Sequence, residues 1–270
     1  MRLRNLAALA ASAAIFLSVG VSSRPDARGA GSGVRKKILV ELYTSQGCNS
    51  CPPASDLLGK LAGMGYGPDR VIPVNFHVDY FNEPWADPFS DPDYSRREMA
   101  YNRVQDRKDL YFTPMMMVDG RTPLLGSDRK KAVAAMDAAL QEAAGVTLAS
   151  SLKGSGKRRT LRVVIAAKSP EVAGRDLLIG TAVTERSIST EVPSGENGGK
   201  TLVEHHVVRA YAHKSARLDG GDSTTLEFAL QLRPGQDAKQ TSVAVFVQDE
   251  ANGKVYQADN LPWVEATRDR

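Results

Sequence analysis

A chain of 270 residues, 42% of them hydrophobic and 24% charged, has enough apolar material to bury a core, so its composition excludes a disordered or fibrous protein. Lys and Arg total 35 against 31 Asp and Glu, a net charge of only +4, and no basic run alternates with aromatic residues. We therefore predict that nucleic acid is not a partner.

The first 23 residues have the pattern of a secretory signal peptide. Arg2 and Arg4 precede an apolar stretch at 6–21, and small residues follow it. The stretch is shorter than the ~20 apolar residues that span a bilayer, so we favour cleavage over an uncleaved anchor. We predict a periplasmic or secreted protein with no stable membrane anchor. Residues 24–34, rich in Gly, Ala and Arg, are predicted to be a flexible leader.

The segment from residue 35 to residue 150 alternates between strand and helix patterns. The predicted elements are a strand at 37–43, a helix at 55–61, a strand at 71–78, a helix at 93–107, strands at 115–118 and 123–125, and a helix at 127–144. This order, β-α-β-α-β-β-α, predicts an α/β domain whose sheet has parallel pairs and helices on both faces.

After Gly145 the helical spacing ends and short runs of strand-forming residues begin. They lie at 161–165, 177–184, 202–210, 225–232, 242–248 and 254–258. The turns between them include Gly195–Gly199, whose Asn-Gly pair is typical of a hairpin. We predict that residues 160–266 form a second, smaller all-β domain with a sandwich-like architecture, and that the polar stretch 151–159 is the boundary.

The only two cysteines of the sequence lie in the motif Cys48-Asn49-Ser50-Cys51, which follows the first strand and opens a helix. The spacing lets the sulfurs bond, and the unpaired N–H groups and dipole of a helix N-terminus favour a thiolate, the nucleophile in disulfide exchange. Zinc also uses this spacing, but a structural zinc site needs about four ligands, usually including a second cysteine pair. A static disulfide is the other alternative, although a bridge over two residues constrains the unfolded chain little.

The motif and its surroundings resemble the thioredoxins and protein disulfide isomerases. The strand Val40-Glu41-Leu42-Tyr43 before the motif is similar to their first active-site strand, and Thr113-Pro114 before Asp119-Gly120 is similar to their later Thr-cisPro, strand and hairpin. The resemblance implies a thioredoxin-like domain at 35–150 with a redox pair at Cys48 and Cys51. It also implies that the Thr113–Pro114 peptide is cis and that both residues pair with an extended substrate strand.

The wider pattern resembles one bacterial family of exported thioredoxin-like proteins, catalogued as a domain of unknown function. The pattern consists of Thr-Ser-Gln-Gly-Cys-x-x-Cys-Pro-Pro with the later Gly-Glu-Asn at 195–197 and Val-Val-Arg at 207–209. The chain departs from thioredoxins in having Gln46-Gly47 where they have a tryptophan before the first cysteine, and Asn49-Ser50 between the cysteines. Because no cation lies between the cysteines, a strongly oxidising role is not predicted.

The resemblance also implies a buried acid on the strand that leads into the motif. Glu41 lies one residue further from Cys48 than that acid does, and a loop longer by one residue would restore the match. Glu41 would then accept the proton of Cys51 as that thiol attacks a mixed disulfide. A solvated or salt-bridged structural glutamate is the alternative.

We predict an exported thiol–disulfide oxidoreductase-like enzyme. Cys48 and Cys51 would act on the disulfides of client proteins, Thr113 and Pro114 would bind the substrate, and no cofactor is expected. The predicted partners are client thiols or disulfides and a redox partner. The direction of electron flow and the oligomeric state have no signal in the sequence.

Two other functions remain open at this stage. One is a periplasmic copper(I) carrier that uses Cys48 and Cys51 with Met115 or His77, which are soft or borderline ligands suited to that ion. The other is a partner-binding module in which the cysteine motif is vestigial. For Met115 and His77 the structural alternatives are core filling and a hydrogen-bonded core histidine.

Overall fold

The computed structural model describes residues 35–219 and 222–264. The predicted signal peptide at 1–23 and the predicted leader at 24–34 lie outside these residues. Within the described part of the chain, every helix is too short or too polar to cross a membrane.

The N-terminal half has the predicted order of elements. Its strands and helices are β1 (Ile38–Thr44), α1 (Pro52–Lys60), β2 (Val71–His77), α2 (Pro92–Val104), β3 (Met115–Val118), β4 (Thr122–Leu125) and α3 (Arg129–Ala139). Strand β1 is parallel to β2 and antiparallel to β3, and β3 and β4 form a hairpin. Prolines begin α1 and α2, where the missing N–H group would have no acceptor within the helix.

Strand β1 is buried along its whole length, and its side chains alternate between two layers. Ile38, Val40 and Leu42 pack in one core with α1 and α3. Leu39 and Tyr43 pack in a second core with α2. Helices therefore cover both faces of the sheet, as the order of elements predicts.

In the described part of the chain, seven strands follow α3, one more than the sequence predicts. They are β5 (Val146–Ser155), β6 (Arg158–Ala167), β7 (Asp176–Glu191), β8 (Thr201–Arg217), β9 (Ser223–Gln231), β10 (Thr241–Asp249) and β11 (Val255–Pro262). The predicted boundary at 151–159 lies in the hairpin of β5 and β6. Its polar residues belong to a strand with one exposed face, which composition alone did not distinguish from a linker.

Both halves of the chain contribute to one large sheet. Its eight strands lie in the order β11-β10-β7-β8-β2-β1-β3-β4, and β8 joins β2 in parallel where Val207 pairs with Asn75. The sequence predicts a separate all-β domain, but four strands of the second half extend the N-terminal sheet. They do so because the outer edge of β2 would have unpaired backbone groups if β8 did not pair with it.

The other three strands of the second half form a small sheet in the order β5-β6-β9. This sheet packs on β7, β10 and β11 through a core that includes Val163, Ile179, Val245 and Trp263. The two packed layers correspond to the predicted sandwich. One layer is the small sheet, and the other is the end of the large sheet. The fold is thus mixed α/β, with a large eight-stranded sheet and a smaller three-stranded one.

A buried ion pair ties β1 to α2. The fully buried carboxylate of Glu41 accepts hydrogen bonds from the guanidinium of Arg97 at 2.7 and 3.0 Å, and from two tyrosine hydroxyls. The guanidinium also donates to Tyr211 on β8 and to Gln248 on β10. One pair of charges therefore connects α2 to strands from both halves of the chain.

Replacing Arg97 tests this connection. Arg97→Met should lower the free energy of unfolding by about 3–5 kcal/mol, because it leaves the charge of Glu41 buried without a partner. Urea denaturation measures the loss. Arg107→Met is the matched control, since Arg107 pairs with Asp109 at the surface, where an ion pair contributes little. Similar losses in the two variants would show that the buried pair has no special structural role.

Candidate redox site

The cysteine motif lies between the end of β1 and the start of α1. Cys48 and Cys51 form a disulfide with their Cα atoms 5.5 Å apart, and Cys51 is the N-cap of α1. The N–H group of Cys48 donates to the carbonyl oxygen of Ser45, and that of Cys51 donates to the carbonyl oxygen of Cys48. Tight turns therefore hold the motif at the helix N-terminus, where the helix dipole favours an anion, although Pro52 and Pro53 supply no N–H groups there.

The disulfide itself is buried, although the two residues between the cysteines are exposed. Cys48 exposes 2% of its surface and Cys51 exposes 1%. The hydroxyl oxygen of Ser50 lies 3.3 Å from Sγ of Cys48. A bulky exchange partner therefore reaches Cys48 only if a segment around the motif moves.

The turn between β7 and β8 folds onto the motif. The buried Asn197 donates through Nδ2 to the carbonyl oxygens of Gln46 and Cys48, both at 2.9 Å. The carboxylate of Glu196 accepts a 2.9 Å hydrogen bond from the N–H group of Asn49. These two residues, Glu196 and Asn197, form a clamp that the second half of the chain places over the motif.

Opening the clamp should expose the disulfide. Asn197→Ala removes one of two donors to the carbonyl oxygen of Cys48 and leaves the buried carbonyl oxygen of Gln46 without a donor, at a cost of about 1–3 kcal/mol for such a buried group. We expect dithiothreitol to reduce the Cys48–Cys51 disulfide faster in this variant than in the parent, as followed by thiol titration. Glu196→Gln is the control, because it keeps an acceptor for Asn49 and should leave the rate close to that of the parent. An unchanged rate in Asn197→Ala would contradict the clamp.

Pro114 lies beside the helix that carries Cys51. The peptide bond before Pro114 is cis, as the resemblance implies. The carbonyl oxygen of Pro114 accepts a 2.9 Å hydrogen bond from the N–H group of Gly126. A Cβ atom at Gly126 would lie 3.0 Å from Ala54 of α1 and 3.3 Å from Pro114. The start of β3 and the first turns of α1 therefore meet closely, without space for a side chain between them.

Glu98 of α2 is a second buried carboxyl group, and it supports the segment that leads to Pro114. It accepts hydrogen bonds from the hydroxyl of Tyr80 at 3.1 Å and from the N–H group of Phe112 at 3.2 Å. Burial raises the pKa of Glu98 to about 8, although both hydrogen bonds act to lower it. The carboxyl group is therefore mostly protonated at neutral pH.

Glu98→Gln should remove part of the pH dependence of stability. Between the ordinary pKa of 4.5 and about 8, the folded chain keeps a proton that the unfolded chain loses. The free energy of unfolding therefore falls as the pH rises through this window and levels off above it. Urea denaturation at a series of pH values should show that the variant gains stability relative to the parent with rising pH. Parallel curves for the two proteins would show that Glu98 titrates normally.

Glu41 lies on the face of β1 opposite α1, so the structure does not bring it to Cys51 as predicted. Side chains alternate along a strand, and a shift of one residue moves a side chain to the other face. A longer loop therefore cannot restore the match with the acid of the thioredoxins, because the neighbouring Leu42 faces α1 instead. The ion pair with Arg97 supports the alternative of a salt-bridged structural glutamate.

The residues predicted for copper(I) do not converge on the cysteines. Met115 is fully buried in the core beneath α2. Nδ1 of the buried His77 lies 2.7 Å from a carboxylate oxygen of Asp87. Among the described residues, no three His, Cys, Asp or Glu side chains are grouped so that they could hold a metal ion. These contacts favour the structural alternatives, core filling for Met115 and a hydrogen-bonded core histidine for His77.

Sequence reasoning missed the role of two residues of the site, Asp87 and Asn197, although Asn197 belongs to the Gly-Glu-Asn pattern at 195–197. Asp87 accepts hydrogen bonds from His77 and from the N–H group of Gln46, and Asn197 holds the motif from the β7–β8 turn. These contacts span 41 residues to Gln46 and 149 residues to Cys48, so no spacing reveals them. The available signal is residue type, since Asp and Asn in loops often bond to backbone groups.

Solved structures that are similar over most of the chain include the following two. A protein from Agrobacterium tumefaciens is 25% identical with a TM-score of 0.66, covering 87% of this chain and 98% of that one. HBP35 of Porphyromonas gingivalis is 16% identical with a TM-score of 0.64, covering 89% and 80%, and at this identity the likeness shows the fold alone. No curated protein sequence matches the chain. The profile of a protein family of unknown function, DUF1223, matches residues 39–248.

Proposed function

The chain belongs to the DUF1223 family of proteins of unknown function, and we propose that it is an exported thiol–disulfide oxidoreductase that exchanges with disulfides of client proteins. The observation that carries the proposal is the Cys48–Cys51 disulfide at the N-terminus of α1, directly after a buried strand. Two cysteines in this position can alternate between a disulfide and a pair of thiols whose first member ionises readily.

The architecture around the motif is the second support. Strands in the order β2-β1-β3-β4, a parallel β1–β2 pair, a β3–β4 hairpin and helices on both faces agree with the thioredoxin-like domain that the resemblance implies. Pro114 follows a cis peptide, and Pro114 and Ala54 of α1 are both neighbours of Gly126. An extended client segment would pair with the backbone at Thr113 and Pro114.

The exchange proceeds in two attacks. In the reduced protein, the thiolate of Cys48 attacks one sulfur of the client disulfide, a mixed disulfide forms, and the other client sulfur leaves as a thiolate. The thiol of Cys51 then loses its proton and attacks Sγ of Cys48. The Cys48–Cys51 bond forms, the bond to the client breaks, and the released client thiolate takes up a proton. Two electrons have then passed from the protein to the client, and the reverse sequence oxidises client thiols.

The proposed location is the periplasm or the cell exterior, where disulfides form and persist. Its support is the pattern of the first 23 residues. The proposed partners are client proteins and a second redox protein that returns the cysteine pair to its working state. Because the clamp covers the motif, client binding would include displacement of Glu196 and Asn197.

The reactivity of the two thiols tests the proposal. In the reduced, folded protein Cys48 should be alkylated faster than Cys51 and should titrate below the ordinary thiol pKa of about 8.5. Mass spectrometry after iodoacetamide pulses at several pH values measures both quantities. Cys51→Ser should also trap a client disulfide peptide on Cys48, because the second attack is blocked. Cys48→Ser is the matched control and should trap much less.

Three results would count against an oxidoreductase. Equal, slow alkylation of both thiols without a trapped peptide would leave Cys48–Cys51 a static bridge. Retention of one copper(I) by the reduced protein, lost in the Cys48→Ser, Cys51→Ser double variant, would favour the carrier if no peptide is trapped. A partner protein that binds the parent and the double variant with equal affinity would favour a binding module, because its binding would not depend on the cysteines.

A further inference from the structure

The small sheet of β5, β6 and β9 has one face in the core and one face toward solvent. Leu161, Val163 and Phe228 are buried on the inner face, in the core shared with the large sheet. Because side chains alternate along a strand, the residues between them form the opposite side, which we call the outer face. Residues that oppose each other in the ladder share a face, so Lys153 and its partner Thr160 both belong to the outer face.

The small sheet carries the excess positive charge of the chain. Its strands β5 and β6 and their turn contain no Asp or Glu and five basic residues, Lys153, Lys157, Arg158, Arg159 and Arg162. Strand β9 adds one acid, Glu227, so the small sheet has a net charge of +4, which equals that of the whole chain. The basic and acidic residues elsewhere in the chain therefore balance. Of the five basic side chains, Arg159 packs over Trp263.

Two of the cations lie close together on the outer face, near the β5–β6 turn. Lys153 opposes Thr160, and Arg158, two residues before Thr160, opposes Gln231 of β9. Lys153 and Arg158 are therefore diagonal neighbours, whose Cα atoms are about 7–8 Å apart in such a ladder. A shallow depression of about 430 Å³ is lined by these two cations together with Thr160, Gln231 and the short side chain of Ala229. The outer face thus offers several hydrogen-bond donors around one concave spot.

Lys153 and Arg158 lie opposite uncharged residues, so the ladder does not neutralise them. The one acid of the small sheet, Glu227, opposes Arg162, and their side chains are 3.8 Å apart. Nζ of Lys214 on β8 donates to the carbonyl oxygen of Glu227 at 2.7 Å, which adds a further cation at the edge of β9. A surface that balances its own charge mixes both signs. Here the counter-charge has to come from outside the sheet.

The shape of the outer face and an exposed apolar residue indicate what kind of anion fits. Most other outer positions hold short side chains, namely Thr147, Ala149, Ser151, Ser223, Thr225 and Ala229, so a flat partner can approach the sheet. The indole N–H group of Trp263 donates to the carbonyl oxygen of Gly156 at 3.0 Å, which brings the end of β11 to the β5–β6 turn. The next residue, Val264, exposes 42% of its surface. Cations beside an exposed apolar side chain suit the headgroup region of a membrane.

We propose that the outer face of the small sheet docks on an anionic lipid surface, with lipid phosphates held by Lys153 and Arg158. Lys157 in the turn adds to the attraction, because every cation within a Debye length of the surface contributes. Docking of this kind is peripheral and reversible, so it needs no helix that crosses the membrane. The inference goes beyond the proposed function, since it involves neither cysteine.

Co-sedimentation of the full chain with lipid vesicles tests the docking. The parent protein should bind vesicles of phosphatidylglycerol mixed equally with phosphatidylcholine, and it should bind vesicles of phosphatidylcholine alone much more weakly. The double variant Lys153→Gln, Arg158→Gln should bind the anionic vesicles about tenfold more weakly or worse, because each cation near an anionic surface strengthens binding about fivefold. Raising the salt from about 0.1 M to about 1 M should weaken binding of the parent in the same direction.

The matched control is the double variant Lys108→Gln, Lys130→Gln, which removes the same charge from exposed positions outside the small sheet. It should bind anionic vesicles within about twofold of the parent, since binding depends on where the charge lies. Equal losses in the two double variants would show a response to net charge alone and would overturn the inference. All four side chains belong to residues with exposed surfaces, so the urea midpoints of both variants should match that of the parent.

A soluble polyanion distinguishes a lipid surface from other anionic partners. Heparin carries dense negative charge but has no apolar layer for a side chain such as Val264 to enter. Binding to heparin that depends on Lys153 and Arg158, without binding to anionic vesicles, would overturn the lipid surface as the partner. Equal binding of the parent to the two kinds of vesicle would also overturn it. Disulfide exchange does not enter either measurement, so failure of the proposed oxidoreductase leaves this test unaffected.

Discussion

Strand β1 is buried on both faces, so each of its side chains must fit one of two layers with different chemistry. Toward α2 the layer contains the ion pair of Glu41 and Arg97. Toward α1 it is apolar at first and becomes polar at Thr44, next to His77. The cysteine motif follows this strand directly, so the environment of both sulfurs depends on the alternation. Inserting a single residue into β1 would exchange the two layers and place a carboxylate where an apolar contact is needed.

The pairing of β8 with β2 makes the second half of the chain part of the site. This pairing brings three groups of the second half within hydrogen-bond distance of the first. Asn197 bonds to the backbone of the motif, Glu204 bonds to the side chain of Asn75, and the backbone of His205 bonds to Ser55 of α1. A free-standing sandwich joined by a linker could not hold these groups at hydrogen-bond distance. The β-rich half therefore has a direct structural role at the cysteines, in addition to packing its own core.

The sequence allowed the local elements to be predicted, because apolar runs and helical spacing are properties of neighbouring residues. Strand β1, the hairpin of β3 and β4, and most strands of the second half were predicted in this way. Sheet membership was not predicted, because the pairing of Asn75 with Val207 leaves no pattern in either segment. The cysteines were found from their spacing, whereas the face occupied by Glu41 was not, because β1 is buried on both faces and its sequence does not mark which face packs on α1.

The long separation between β2 and β8 has a consequence for how the protein matures. A chain that emerges from its N-terminus presents β1, the cysteines and β2 well before β8 is available to cover the edge of β2. Until then that edge can pair with other chains, so the chain is prone to aggregation at this stage. Cys48 and Cys51 are only three residues apart, and they can meet an oxidant during the same interval. The first oxidation of the pair therefore does not have to wait for a partner that can open the finished molecule.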